Sequence, residues 1–198
     1  MKTLRPLLFL LLAVAPPAGA VDTPLLGKTL RLRDTMPGKR SVAFVLTGAV
    51  DLTGVDPTQD GCTVTVSNGG SYTVTLSLPA ADWKKAKGKS TKPPTYKYVA
   101  HDGATGSGVV AVLKAGTLVK VSAHGPLLPA LGGPLGSVSV SVDAGTLHLC
   151  ALFGGKLKKD DGKKFLAAKA PAPDACGSTT TTIPPCAATT SSTARIRS

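Results

Sequence analysis

The clearest alternation in the chain runs from Gly136 to Gly155. There Ser137, Ser139 and Ser141 interleave with Val138, Val140 and Val142, and Leu147, Leu149, Ala151 and Phe153 follow a turn signal. A period of two on both arms predicts a β-hairpin. For the apolar residues to share a face, the loop must hold an even number of residues. Asp143 to Thr146, built on a type I turn, meets that condition with Val142 opposite Leu147 and Val140 opposite Leu149. Cys150 then falls on the serine-bearing face, where something lying across the sheet can be stapled to it.

The same reading extends along the chain. After a lead-in from Val21 to Leu26, Thr29 to Arg33 alternates as T-L-R-L-R, Pro37-Gly38 marks a turn, and Ser41 to Thr47 completes a first hairpin. Asp51 to Gly61 reads as a loop. Cys62 to Ser67 and Ser71 to Leu78 pair around Asn68-Gly69-Gly70, and an odd loop of three sets Val66 opposite Tyr72, Val64 opposite Val74 and Cys62 opposite Leu76. Pro79 to Trp83 predicts one helical turn, and Lys84 to Pro94 a lysine-rich loop. Three further strands follow at Tyr96 to Ala100, Val109 to Lys114 and Thr117 to Ala123, and Gly125 to Gly136 is a Gly- and Pro-rich connector. Leu157 to Leu166 closes on Asp161-Gly162, with Leu157 against Leu166, Asp160 against Lys163 and Lys159 against Lys164. About ten short strands without helical periodicity predict an all-β fold, an antiparallel β-sandwich or open barrel, as a single domain over 21–176.

The two ends read differently. Met1 to Ala20 joins a basic start (Lys2, Arg5), an apolar run from Leu7 to Val14 and Ala18-Gly19-Ala20, the parts of a secretory signal cleaved after Ala20. From 177 to 198 the Thr-, Ser- and Pro-rich composition cannot bury a core, which predicts a disordered tail or linker. The expected location is secreted, periplasmic or cell-surface, with no membrane span once the signal is removed. An oxidising destination makes the four cysteines disulfide candidates, in three possible pairings. Cys150 with Cys176 is preferred, because the Pro-rich segment ending at Cys176 can run back over the hairpin. Cys62 lies in a strand and Cys186 in the tail; their pairing stays open.

Charge adds a candidate partner. Lys and Arg number 23 against 11 acids, a formal net charge of +12 that falls to about +10 when Lys2 and Arg5 leave with the signal. The lysines group in two places: Lys84, Lys85, Lys87, Lys89 and Lys92, then Lys156, Lys158, Lys159, Lys163 and Lys164. Lys159 facing Lys164 would repel, and an anion between them would relieve that cost, which points to an anionic glycan or cell-surface polymer. The competing reading is a solubilising surface that blocks edge pairing. Trp83, Tyr96 and Tyr98 flank the first group as a candidate glycan platform, although a sandwich of this size needs its few aromatics as core. Nothing points to a specific nucleic acid.

Catalytic and metal patterns are missing. His101, His124 and His148 lie far apart with no partner at zinc-ligand spacing, and Asp51, Asp56 and Asp60 do not follow the spacing of a calcium loop. There is no G-x-S-x-G elbow. Gly106-Ser107-Gly108 leads into strand-like Val109 to Leu113 rather than the helix a dinucleotide fingerprint needs. No Glu occurs, which removes paired-Glu chemistry, and Asp102-Gly103 beside His101 is ordinary turn chemistry. The expectation is a secreted or surface-associated, non-catalytic β-sandwich module with a display, structural or binding role that takes no cofactor or metal; the alternatives are a polyanion- or glycan-binding protein using the lysine clusters and a secreted hydrolase built on His101-Asp102 with a serine nucleophile.

Several stretches together resemble a group of uncharacterised, exported bacterial β-rich domains. They are L-R-L-R-D at Leu30 to Asp34, L-P-A-A-D-W at Leu78 to Trp83, Y-K-Y at Tyr96 to Tyr98, C-A-L-F-G-G at Cys150 to Gly155, and F-L-A-A-K-A-P-A-P-D-A-C at Phe165 to Cys176. In that group Thr- and Pro-rich linkers resembling Thr179 to Pro185 are frequent. The resemblance implies an exported β-rich module and carries over no activity, ligand or catalytic residue. It also implies a further cysteine pair near the strands around Lys114, which this chain lacks.

Overall fold

Burying every second residue is what makes these segments strands. In Ser41–Thr47, Val42, Phe44 and Leu46 are buried and the residues between them half-buried. The computed structural model describes residues 21–36, 38–87 and 92–176; the expected signal, Lys89, Cys186 and the tail at 177–198 lie outside the described residues. Among the described residues there are thirteen strands: β1 (Val21–Pro24), β2 (Leu26–Arg33), β3 (Ser41–Thr47), β4 (Cys62–Ser67), β5 (Thr73–Leu78), β6 (Trp83–Lys85), β7 (Thr95–Asp102), β8 (Ser107–Lys114), β9 (Leu118–His124), β10 (Val138–Ala144), β11 (Leu147–Phe153), β12 (Leu157–Asp160) and β13 (Lys164–Ala170). They form a five-stranded sheet ordered β1-β11-β10-β4-β5 and an eight-stranded sheet ordered β12-β13-β2-β3-β9-β8-β7-β6, a sandwich with no closed barrel. Strands β1 and β6, which the pattern does not announce, are short and lie at sheet edges.

The two sheets share chain as well as core. Strand β1 pairs parallel to β11 in the smaller sheet, Leu25 donates its N–H to the Cys150 carbonyl at 2.8 Å, and the chain then crosses directly into β2 of the larger sheet. Leu25 itself is buried between them. A bulge at Gly27/Thr29 eases the crossing, and the missing side chain at Gly27 leaves room for the buried Phe153 ring. At one end the connector after β9 tucks Leu128, Leu131 and Leu135 into the core. Its backbone is held by the Asp34 and Asp160 carboxylates and by Arg40, which bridges Asp34 and the Leu128 carbonyl.

Two of the three hairpins with predicted registers keep their face parity but slide by two residues. In β10–β11, Val142 faces Leu149 and Ala144 faces Leu147, so the loop is Gly145-Thr146 rather than Asp143 to Thr146. Gly145 at φ 55° supplies the positive first position of a type II′ turn, and the tighter loop buries Ala144 as one more apolar pair. Cys150 sits opposite Ser141 on the serine-bearing face. In β4–β5, Val66 faces Val74, Val64 faces Leu76 and Cys62 faces Leu78, leaving the five-residue loop Asn68 to Tyr72. The Asn68 side chain accepts from the N–H groups of Gly70 and Tyr72, doing what a ladder carbonyl would do, and Tyr72 folds into the core.

The last hairpin departs further. A bulge between Leu157 and Lys159 sets Leu157 against Ala167, Lys159 against Leu166 and Asp160 against Phe165. The Asp161 carboxylate accepts from the N–H groups of Lys163 and Lys164, which widens the turn beyond Asp161-Gly162. Lys159 therefore does not face Lys164, and its ammonium lies 3.0 Å from Asp161. The loop at Asp51 to Gly61 contains a short helix, α1 (Pro57–Asp60), whose first turn is capped by the Asp56 carboxylate accepting from Thr58. Cys150 and Cys176 are joined as a disulfide with Cα atoms 5.5 Å apart, which pins the segment after β13 across the hydroxyl-bearing face of the smaller sheet.

Candidate functional site

Outward positions recur at every second residue of a strand, and the register aligns them in rows across the larger sheet. One row runs Lys84, Lys97, Val112, Lys120 and Val45. The next runs Val99, Val110, Ser122, Ala43 and Arg31, and the third His101, Gly108, His124, Ser41, Arg33 and Lys164. No aspartate stands among these positions. Lys84 is directly opposed to Lys97, and Arg33 to Lys164, at the neighbouring-strand spacing of about 4.8 Å, a placement of like charges that destabilises a sheet. Between the basic groups lie the paired Val99 and Val110, 61% and 47% exposed. The result is a basic face with an apolar centre.

The lysine groups read from the sequence do not come together. Strands β6 and β12 are the opposite edges of the larger sheet, seven strand steps apart, which is about 34 Å at 4.8 Å per step. Of the first group, Lys84 joins the outward face, Lys85 places its ammonium 5.6 Å from the centre of the Tyr96 ring, and Lys87 is exposed beyond the strand. Of the second group, Lys158 and Lys163 are exposed near the hairpin tip, Lys159 pairs with Asp161, and Lys164 lies beside Arg33. Hydrogen bonding, above all from Lys159, holds the Asp161 carboxyl down at about 2. The predicted Lys159–Lys164 repulsion is thus replaced by the pairs Lys84–Lys97 and Arg33–Lys164. Arg31, Arg33, Lys97 and Lys120 were the residues missed, although T-L-R-L-R at Thr29 to Arg33 already marks its arginines as outward.

The aromatic platform is not formed. Trp83, Tyr96 and Tyr98 all point inward and are buried; Trp83 packs on Tyr98 with ring centres 5.4 Å apart and donates its indole N–H to the Leu78 carbonyl at 3.2 Å. Burial, reinforced by the Asp82 charge, raises the Tyr98 phenol. The need for core volume has taken these rings, and no stacking surface is left.

The opposite face, on the smaller sheet, is chemically different. Its outward rows carry Thr73, Ser67 and Ser139, then Thr75, Thr65 and Ser141, then Ser77, Thr63 and Asp143. Ser67 and Thr73 share a hydrogen bond of 2.7 Å, and the His148 ring is hydrogen-bonded to Asp143. Asp22, His148 and Cys176 bring potential ligand atoms within 4.8 Å of one another, but the Cys176 sulfur is committed to the disulfide, which removes the thiolate a metal would need. Hydrogen bonding from the side chain and then the backbone N–H of Thr53 to Asp51, and of Thr58 to Asp56, holds both carboxyls below their ordinary range and explains them as turn and cap residues.

A shallow, mainly apolar depression of about 480 Å³ lies over Val50, Leu52, Pro94 and Ala115. Its one ionisable side chain is Asp51, already bonded to Thr53. Apart from tyrosine, tryptophan and cysteine, no polar or charged side chain is buried among the described residues, and no helix there is long and apolar enough to cross a membrane. No protein-family model, curated protein or solved structure matches the chain.

Proposed function

We propose that this protein is an exported, non-catalytic β-sandwich module that binds an anionic polysaccharide of a cell surface through the outer face of its eight-stranded sheet. The observation that carries the reading is the set of aligned rows holding Arg31, Arg33, Lys84, Lys97, Lys120 and Lys164 with no carboxylate among them. Opposed like charges such as Lys84–Lys97 are a standing cost that an anion lying along the row relieves. The disulfide favours an oxidising location, in line with the expected signal at 1–20.

The test is salt-graded retention on heparin and on dextran sulfate. The double reversals Arg31→Glu/Arg33→Glu and Lys97→Glu/Lys120→Glu should elute at clearly lower salt than Lys158→Glu/Lys163→Glu, which changes net charge equally at the tip of the β12–β13 hairpin, outside the three rows. Equal elution of all three variants would reduce the effect to net charge, and absence of wild-type retention at low ionic strength would end the reading.

A further inference from the structure

Three positions of the third row form an arrangement that the sequence does not suggest. His101 of β7 and His124 of β9 are both in register with Gly108 of the intervening strand β8. Side chains two strands apart do not ordinarily meet, because the residue between them fills the row. Here that residue has no side chain. A Cβ built on Gly108 would stand 2.6 Å from His124 Cε1, 3.1 Å from His124 Nε2 and 3.2 Å from His101 Nδ1, so the two imidazoles have closed over the space. Their centres are 6.4 Å apart with planes tilted by 43°. Both rings are exposed, and the glycine beneath them is buried. His148 is tied to Asp143, whereas neither His101 nor His124 has a side-chain hydrogen-bond partner among the described residues.

We infer that His101 and His124 form a surface chelate for a borderline divalent metal, zinc(II), copper(II) or nickel(II), seated above Gly108. Imidazole nitrogens suit these ions. Each ring holds a nitrogen over Gly108, 3.1 and 3.2 Å from the position a Cβ would take there, and rotation of the exposed rings lets both turn toward one ion above the strand at metal–nitrogen bonds of about 2.0–2.1 Å. Water completes the coordination, because no third His, Cys or Asp joins the pair within ligand distance among the described residues. This site is independent of polymer binding, and neither result decides the other.

The experiment uses untagged protein and copper(II) and zinc(II) salts. Titration calorimetry should show one ion per chain, and copper(II) spin resonance should show coupling to two nitrogens. His101→Ala and His124→Ala should each weaken binding by about tenfold or more, the gain expected from linking two ligands, while His148→Ala leaves it unchanged. Gly108→Val, checked for retained β-structure by circular dichroism, should also weaken binding by refilling the row. Stoichiometric binding by the His101→Ala/His124→Ala double variant, or equal weakening by His148→Ala, would overturn the assignment.

Discussion

Replacing Cys150 and Cys176 together by alanine tests what the disulfide contributes. The bond closes a loop with a sequence separation of 26 that contains most of β11 and all of β12 and β13, elements divided between the two sheets. The loop-entropy relation for that length gives about 3.5 kcal/mol of unfolding free energy at 25 °C. For a chain of this size, that corresponds to a fall in Tm of about 7–14 °C. The segment from Pro171 to Cys176 forms no backbone hydrogen bond to the sandwich outside the strands, so the disulfide is its anchor and its loss should also be visible locally. Urea unfolding followed by the fluorescence of Trp83, buried at the far edge of the larger sheet, measures the global term. Hydrogen exchange measures the local one. A loss below about 1 kcal/mol, with unchanged m-value, would refute the argument that the unfolded chain is materially constrained by this cross-link.

Four further outcomes follow from three residues. Burial, with the Asp143 charge adding to it, pushes the Cys62 thiol from an ordinary 9.0 up to about 12, so at pH 8 folded protein should react with iodoacetamide about a thousandfold more slowly than urea-unfolded protein; equal rates would disprove the burial. Because that value is raised, the associated stability is present below about pH 9 and is lost as the pH rises toward 12, which a pH series of urea midpoints in the Cys62→Ala variant and its parent would separate. Gly27→Ala places a methyl 2.6 Å from the buried Phe153 ring and 2.9 Å from Ala170, and should cost about 1–3 kcal/mol as an overpacked core site, read as a lower urea midpoint. Asp161, held down at about 2, contributes to the β12–β13 turn above its ordinary 3.8 and loses that contribution as the pH falls through 2, so Asp161→Ala should speed amide exchange of Lys163 and Lys164 at pH 6 but not below pH 2.

Alternation made the strand faces legible, because a residue's parity within a strand fixes whether it points in or out. The outward direction of Arg31 and Arg33 and the inward direction of Phe44 and Val64 follow from that rule and agree with their exposure. Loop chemistry set what parity leaves free. Gly145 and the Asn68 amide each moved a hairpin by two residues, the smallest shift that leaves every face unchanged. The basic face was much less legible. Lysines close in sequence suggested two sites, yet strand order is a long-range property that places β6 and β12 at opposite edges and assembles the basic rows from β2, β6, β7, β9 and β13. The encounter of His101 with His124 depends on that order too, and on a glycine at the one position between them.

The placement of charge has a consequence that its total does not. Packed sheets lie about 10 Å apart, and the Debye length at physiological ionic strength is about 8 Å, so the outer faces of the two sheets are screened from each other. A partner approaching the larger sheet meets Arg31, Arg33, Lys97 and Lys120, while one approaching the smaller sheet meets hydroxyls with Asp143 and Asp22. Net positive charge alone would allow a polyanion to coat the molecule in any orientation. In the proposed complex, segregated charge selects one orientation and leaves the Ser/Thr face, with the disulfide-pinned segment, turned away from the polymer. The double reversals on the larger sheet are therefore the variants that must separate from a reversal of equal charge placed at the hairpin tip.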